Sequence, residues 1–171
     1  ARHPSTAYIN SLRWQIKLRI STTKMSPSAE PELPPSYNLH IGFPPVQSYC
    51  HLRRASGLTP VTEAQAAAAI SGSWFGCYIT YDPGHYPGQL HAGAAAVAMG
   101  RIIGDGGWYF HIADMAVLPD HQRRGLGDAV LKTLLRRIEA EDVPEGKKYV
   151  CLLADAPGRR LYAKHGFVES A

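Results

Sequence analysis

Six residues, Gln122-Arg123-Arg124-Gly125-Leu126-Gly127, follow an apolar run from Ile112 to Leu118 and open an amphipathic segment. A glycine-bearing turn at a helix start aims several backbone N–H groups at one spot. The helix dipole makes that spot attractive to phosphate. Gly125 and Gly127 carry no Cβ, so a ligand can come close to the backbone there. The spacing differs from two other phosphate cradles, since neither Gly-x-x-x-x-Gly-Lys-Ser/Thr nor Gly-x-Gly-x-x-Gly occurs here. Eight histidines and three cysteines raise the question of a metal. No histidine pair stands at helical i, i+4 spacing with a carboxylate, and no two cysteines are close, so no metal is expected.

The turn needs a strand before it and a helix after it. Trp108–Leu118 reads as the strand. The helix that follows the turn places Val130, Leu131, Leu134, Leu135 and Ile138 on one face and ends before Pro144. Upstream, Tyr37–Ile41 alternates as a first strand, and Pro45 starts a helix reaching about Arg54. Thr62-Glu63-Ala64-Gln65 opens an Ala-rich helix to about Ile70. Ser73–Tyr81 and Ala92–Ile103 read as strands, the segment 82–88 as a loop, and the segment 104–107 as a hairpin turn. Lys148–Ala154 is a fifth, buried strand, and Pro157–His165 a last short helix with Gly166 as its C-cap. The order β-α-α-β-β-β-α-β-α describes an α/β protein of the α+β kind, with a mixed sheet and helices on both faces.

This strand–turn–helix resembles the acyl-coenzyme A signature of the GNAT acetyltransferase superfamily, Gln/Arg-x-x-Gly-x-Gly/Ala. The segment Leu161-Tyr162-Ala163-Lys164-His165-Gly166-Phe167 is similar to that superfamily's Leu-Tyr-x-Lys-x-Gly-Phe. The order and separation of the two pieces fit as well. The resemblance covers the chain from Tyr37 to Phe167 and implies transfer of an acetyl group from acetyl-CoA to an amine. It further implies that the pantetheine arm pairs with the strand backbone at Met115, Ala116 and Val117. The pyrophosphate would sit at the turn, on Gln122, Arg123, Arg124, Gly125, Leu126 and Gly127. Arg123 and Arg124 either add charge to the phosphates or are solvated surface arginines.

Tyr162 matches the position whose hydroxyl protonates the departing thiolate in many of these enzymes. His111 matches a strand position that holds a catalytic Glu in some of them, and a histidine accepts a proton near neutral pH. Asp114, three residues on, faces the other side of the sheet if the strand is regular. A bulge would bring the two together. The base is therefore His111, Asp114 or a water chain. Asp155 stands where relatives carry an Asn that touches the coenzyme arm, and it is also placed to cap the helix at Pro157. Lys164 and His165 either reach the 3′-phosphate or are solvated. The acceptor pocket is expected between the first two helices, with Tyr49, Cys50, Arg53 and Arg54, and the loop with Tyr81, Asp82, His85 and Tyr86. Those residues suggest a small primary amine as acceptor. Two other readings remain, a coenzyme A-binding sensor without catalysis and acylation of protein N-termini or lysines. The superfamily implies a homodimer.

A chain of 171 residues suffices for one domain, expected over residues 37–171. Its formal charge of +4 is misleading. Five of the Lys and Arg lie in residues 1–29, which hold no Asp or Glu, so the rest carries a net charge of −1. That argues against nucleic acid as a partner, and no apolar run is long enough to suggest a membrane one. Cys50, Cys77 and Cys151 are odd in number and sit in apolar contexts. They read as buried small side chains in a reducing compartment, which points to the cytoplasm. Residues 1–36 read as a basic, then Pro-rich flexible extension outside the domain. Residues 1–24 are compatible with an organelle transit segment, with residues foreign to the native protein, or with a disordered tail. Met25 is an alternative start. Trp14 to Ile20 alternates and suits a strand. In the superfamily another strand follows Gly-Phe, and here only four residues do. The final strand is therefore expected to be missing, through truncation, through replacement by the N-terminal segment, or with the sheet left open.

Overall fold

The computed structural model describes residues 16–21, 31–84, 94–143 and 146–170. Among the described residues there are seven strands and four helices: β1 (Ile16–Ser21), β2 (Tyr37–Ile41), α1 (Val46–Ala55), α2 (Glu63–Ser71), β3 (Phe75–Tyr81), β4 (Ala95–Gly104), β5 (Tyr109–Val117), α3 (Leu126–Glu139), β6 (Tyr149–Ala154), α4 (Arg159–Lys164) and β7 (Val168–Glu169). The sheet runs β2-β3-β4-β5-β6-β1-β7. Among the described strands only β5 and β6 pair in parallel, so the sheet is mixed, as expected.

Local chemistry sets the elements. Thr62 accepts from the Gln65 backbone N–H, and Gln65 Oε1 accepts from Thr62 N–H, so α2 begins with a capping box. Helix α3 buries the five residues expected on its face, together with Leu126 and Ala129. It lies on β3, β4 and β5. Gly100 permits that approach. A Cβ built there would stand 2.6 Å from Val130 Cγ1 and 2.7 Å from Met115 Sδ. On the opposite face α1 and α2 bury Tyr49, Cys50, Leu52 and Ala66 against Met99 and Ala116.

The domain boundary differs from expectation. The N-terminal segment is part of the sheet, with β1 inserted antiparallel between β6 and β7. Its alternation explains this: Leu18 and Ile20 are buried in the core, while Lys17 points to the other face, over Tyr149. The strand after Gly166-Phe167 is present as the two residues of β7, which pair with β1. The final strand expected to be missing is therefore present, and the N-terminal segment takes the edge of β6 beside it. Residues 1–15 with Trp14, Met25, the loop tip with His85 and Tyr86, His91 to Gly93, and Pro144 lie outside the described residues.

Candidate active site

The site starts from an irregularity in β5. Ala113 pairs with Arg101 and Ala116 with Met99, so three steps along β5 match two along β4. The extra residue is Asp114, whose φ of 55° is left-handed. A bulge of this kind re-aims side chains. Phe110 and Ile112 pack in the α3-side core, and His111 faces away from it. Regular alternation would send Asp114 to the α3 side. The bulge instead turns it toward α1, onto the side of His111, and the expectation of opposite faces gives way.

The parallel pairing of β5 and β6 ends at Ile112 and Leu152. Beyond that point the strands diverge around a cavity of about 490 Å³. Its walls are Arg53 and the segment 56–59 after α1, residues 111–115 of β5, Leu153 and Asp155 at the end of β6, and Tyr162 of α4.

Asp114 anchors one wall. Its carboxylate accepts from Tyr49 Oη and Arg53 Nη1 on α1, and from Arg101 Nε on β4 at 2.6 Å. Arg53 also donates to Thr59 O at 3.0 and 2.7 Å, which ties the loop after α1 to the same cluster. Burial alone would raise the Asp114 pKa. The hydrogen bonds from Tyr49 and Arg101 and the two guanidinium charges outweigh it and hold the carboxyl below its usual range. A carboxylate so neutralised is a weak proton acceptor.

His111 differs. Burial lowers its pKa, the Arg101 charge lowers it further, Asp114 opposes them, and Lys17 adds a small lowering. The imidazole is therefore neutral near pH 7. Its Nδ1 lies 3.3 Å from Cys151 Sγ. Tyr162 is buried on α4, and its phenol is pushed up to about 12 by burial and by the Asp155 charge. Asp155 starts the short turn before α4 but makes no side-chain cap bond, and its Oδ1 is buried without a hydrogen-bond partner among the described residues. Its geometry does not support the helix-capping alternative.

The glycine turn lies at the far end of β5. Arg123 (φ 61°) and Gly125 (φ 81°) are both left-handed and reverse the chain so that Gly125 becomes the N-cap of α3. Gln122 Nε2 donates to Val117 O at 3.1 Å, bracing the turn against the strand. Gly127 faces Val117 and Leu161. Arg124 donates to Asp120 O at 3.5 Å and is otherwise exposed.

The structure thus gathers His111, Asp114, Met115, Asp155 and Tyr162 around one cavity. Ala116 and Val117 follow on the same strand and the turn 122–127 lies beyond its end, all outside the cavity lining. Of the expected acceptor residues, Arg53 lines the cavity, whereas Tyr81 packs with Tyr37 and His121 elsewhere. Asp82 is buried there too and accepts from Gly84 N–H. Lys164 and His165 bind Asp128 on α3, at 3.1 and 2.8 Å. Arg101, Tyr109 and Cys151 were not legible as site residues. Arg101 sits mid-strand in an apolar run, where a charge is itself a signal. Among the described residues no group of three or more His, Cys, Asp or Glu could hold a metal.

Residues 78–169 match the sequence model of the acetyltransferase (GNAT) domain. No curated protein matches the chain. Among solved structures, a probable acetyltransferase of unknown function from meticillin-resistant Staphylococcus aureus is 30% identical. That match covers 78% of this chain and 91% of the other, with a TM-score of 0.67. A GNAT-family acetyltransferase from Streptococcus pneumoniae is 23% identical over 77% of this chain and 87% of the other, at a TM-score of 0.54. The ribosomal-protein-S18-alanine N-acetyltransferase of Escherichia coli is 19% identical over 79% of each chain, at a TM-score of 0.58, and shares the fold. The bulged β5, its divergence from β6, the glycine turn and the two sequence signatures have one explanation: the chain belongs to the GNAT family of acetyltransferases.

Proposed function

We propose that the protein acetylates a primary amine of a small molecule, with acetyl-CoA as donor, His111 as proton acceptor and Tyr162 as proton donor. The observation that carries this reading is that His111 and Tyr162, from β5 and α4, line the same cavity in the gap between β5 and β6. A volume of about 490 Å³ suits a small acceptor.

The residues present fit the donor. The edge of β5 beyond Ile112 has no pairing to β6 and can take a pseudopeptide arm as an added strand. The turn 123–127 offers N–H groups at the start of α3 for a pyrophosphate. When bound, acetyl-CoA supplies an electrophilic thioester carbonyl and a thiolate leaving group. Neutral His111 takes the proton that the amine nitrogen loses as its bond to the acyl carbon forms. Tyr162 keeps its proton throughout the neutral range and gives it to the sulfur as the carbon–sulfur bond breaks. The burial that raises the phenol's pKa also raises the basicity of a thiolate beside it. Asp114 holds α1, β4 and β5 together instead of accepting a proton.

Release of free thiol from acetyl-CoA against a panel of small amines, peptides with free N-termini and amino sugars tests the reading. Tyr162→Phe and His111→Gln are each expected to lower kcat by about 100-fold or more with one class of small amine. Peptides used in preference to every small amine would move the acceptor assignment to protein N-termini. Saturable coenzyme A binding without turnover would make the domain a sensor.

A further inference from the structure

We propose that Cys151 is a positioning residue which, with Tyr109, locks the His111 ring in one tautomer and keeps the lone pair on Nε2. The inference rests on the reading of His111 as the proton acceptor.

His111 and Cys151 are register partners across the parallel β5–β6 pair. Cys151 is 1% exposed, and its Sγ lies between two polar groups, 3.3 Å from His111 Nδ1 and 3.2 Å from Tyr109 Oη. In the lock the thiol donates across this second contact to the phenol oxygen. A thiol has one proton. Having given it to Tyr109, Sγ can only accept at Nδ1, so the imidazole proton stands on Nδ1. That leaves Nε2 with the lone pair and no hydrogen-bond partner among the described residues, on a ring that lines the cavity. The far end of the chain is held in turn. Tyr109 stacks on Tyr149 at 5.2 Å, and Lys17 Nζ lies 5.4 Å above the Tyr149 ring.

The groups that face His111 come from every neighbouring element: Arg101 on β4, Asp114 on β5, Lys17 on β1, and across the cavity Arg53, Asp155 and Tyr162. None of them is hydrogen-bonded to the ring, so Cys151 is the group that selects its tautomer. A second-layer partner that fixes ring orientation and tautomer is the usual device where one nitrogen must act.

The test uses the full chain with 15N-labelled histidine, and reads the His111 ring by long-range 1H–15N correlation, assigned from the His111→Gln spectrum. The wild-type ring is expected in the Nδ1–H form. Cys151→Ala removes the acceptor, and Tyr109→Phe frees the thiol proton to turn toward Nδ1. Both are expected to raise the Nε2–H share and to lower kcat by about 2–10-fold at unchanged KM, the loss of one ordinary hydrogen bond. Cys151→Ser is expected to restore the wild-type spectrum. A wild-type ring protonated on Nε2, or a tautomer indifferent to both Cys151→Ala and Tyr109→Phe, overturns the proposal. Full turnover by His111→Gln would overturn the base reading alone, and the ring spectra then still decide whether the lock exists.

Discussion

The two parts of the site are built from different material. On the side proposed for the donor, the free edge of β5 and the turn 122–127 present mainly backbone, and the side chains that matter most there, Gly125 and Gly127, are absences. On the side proposed for the acceptor, Tyr49 and Arg53 from α1 and Arg101 from β4 converge on the Asp114 carboxylate. A backbone wall is specified by conformation, one residue at a time. A side-chain wall is specified by mutual satisfaction, and each member depends on the others. The first should lose ligand affinity in small steps when altered, and the second should fail as a unit.

The sharpest way to break that comparison is Asp114→Ala. Arg53 and Arg101 have side chains only 12% and 13% exposed, and the substitution leaves both charges without the carboxylate between them. Removing one partner from a buried ion cluster costs about 3–5 kcal/mol, to be read by denaturant unfolding. A loss under about 1 kcal/mol would show that the cluster is solvated and the wall is not cooperative. The pH dependence has a sign. The folded-state pKa of Asp114 is held below its unfolded value of about 3.9. Its contribution is therefore complete above that value and is lost as pH falls through the lower, folded one. Asp114→Asn should accordingly lose stability at neutral pH and show a shallower fall below about pH 4 than the parent.

The same contrast explains what the sequence disclosed. The glycine turn and the Tyr162 segment are contiguous, so their residue types and spacing alone mark a turn before a helix and a second, short helix, and the structure has both. Asp114 and Arg53 are 61 residues apart, and Asp114 and Tyr49 are 65 apart, so nothing local joins them. The bulge is harder still. A left-handed residue in a strand usually suggests glycine, and here it is an Asp whose carboxylate is held by three donors. Cys151 is as buried as its apolar context implied, but the register that sets it beside His111 belongs to the sheet. The alternation of the N-terminal segment marked a strand. Its place between β6 and β7 depends on which edges the rest of the chain leaves available.

On the backbone side the corresponding change is Gly125→Ala. A Cβ at this position meets nothing within 4 Å, so the cost is purely that of φ 81°. For a residue with a Cβ this is about 1–2 kcal/mol. The turn either keeps its shape at that cost, lowering thermal stability, or relaxes and turns its N–H groups away from the phosphate position. The expected result is destabilisation of that size together with a weaker coenzyme A affinity by calorimetry, while the amine KM stays near that of the parent. An amine KM that rises as much as the coenzyme A Kd would mean that the two sides are coupled and the distinction fails.

The smallest effect is expected where the two sides are clamped from outside. Asp128, in the first turn of α3, binds Lys132 at 2.9 Å, Lys164 at 3.1 Å and His165 at 2.8 Å, and so joins the helix of the turn to the helix that carries Tyr162. Burial would raise its pKa, but Lys132, His165 and Lys164 together hold the carboxyl far below the usual range. Lys164 is nonetheless 68% exposed, and an ion pair so open to water and salt contributes about 0–1 kcal/mol. With Lys132 and His165 still in place, Lys164→Ala should leave the Asp128 carboxylate satisfied, and stability should change by less than about 0.5 kcal/mol. Raising salt should erase even that difference in a denaturant titration. A loss that is large and insensitive to salt would mean that Lys164 packs its stem against the helix pair. The joint between the two parts of the site would then be a matter of burial rather than charge.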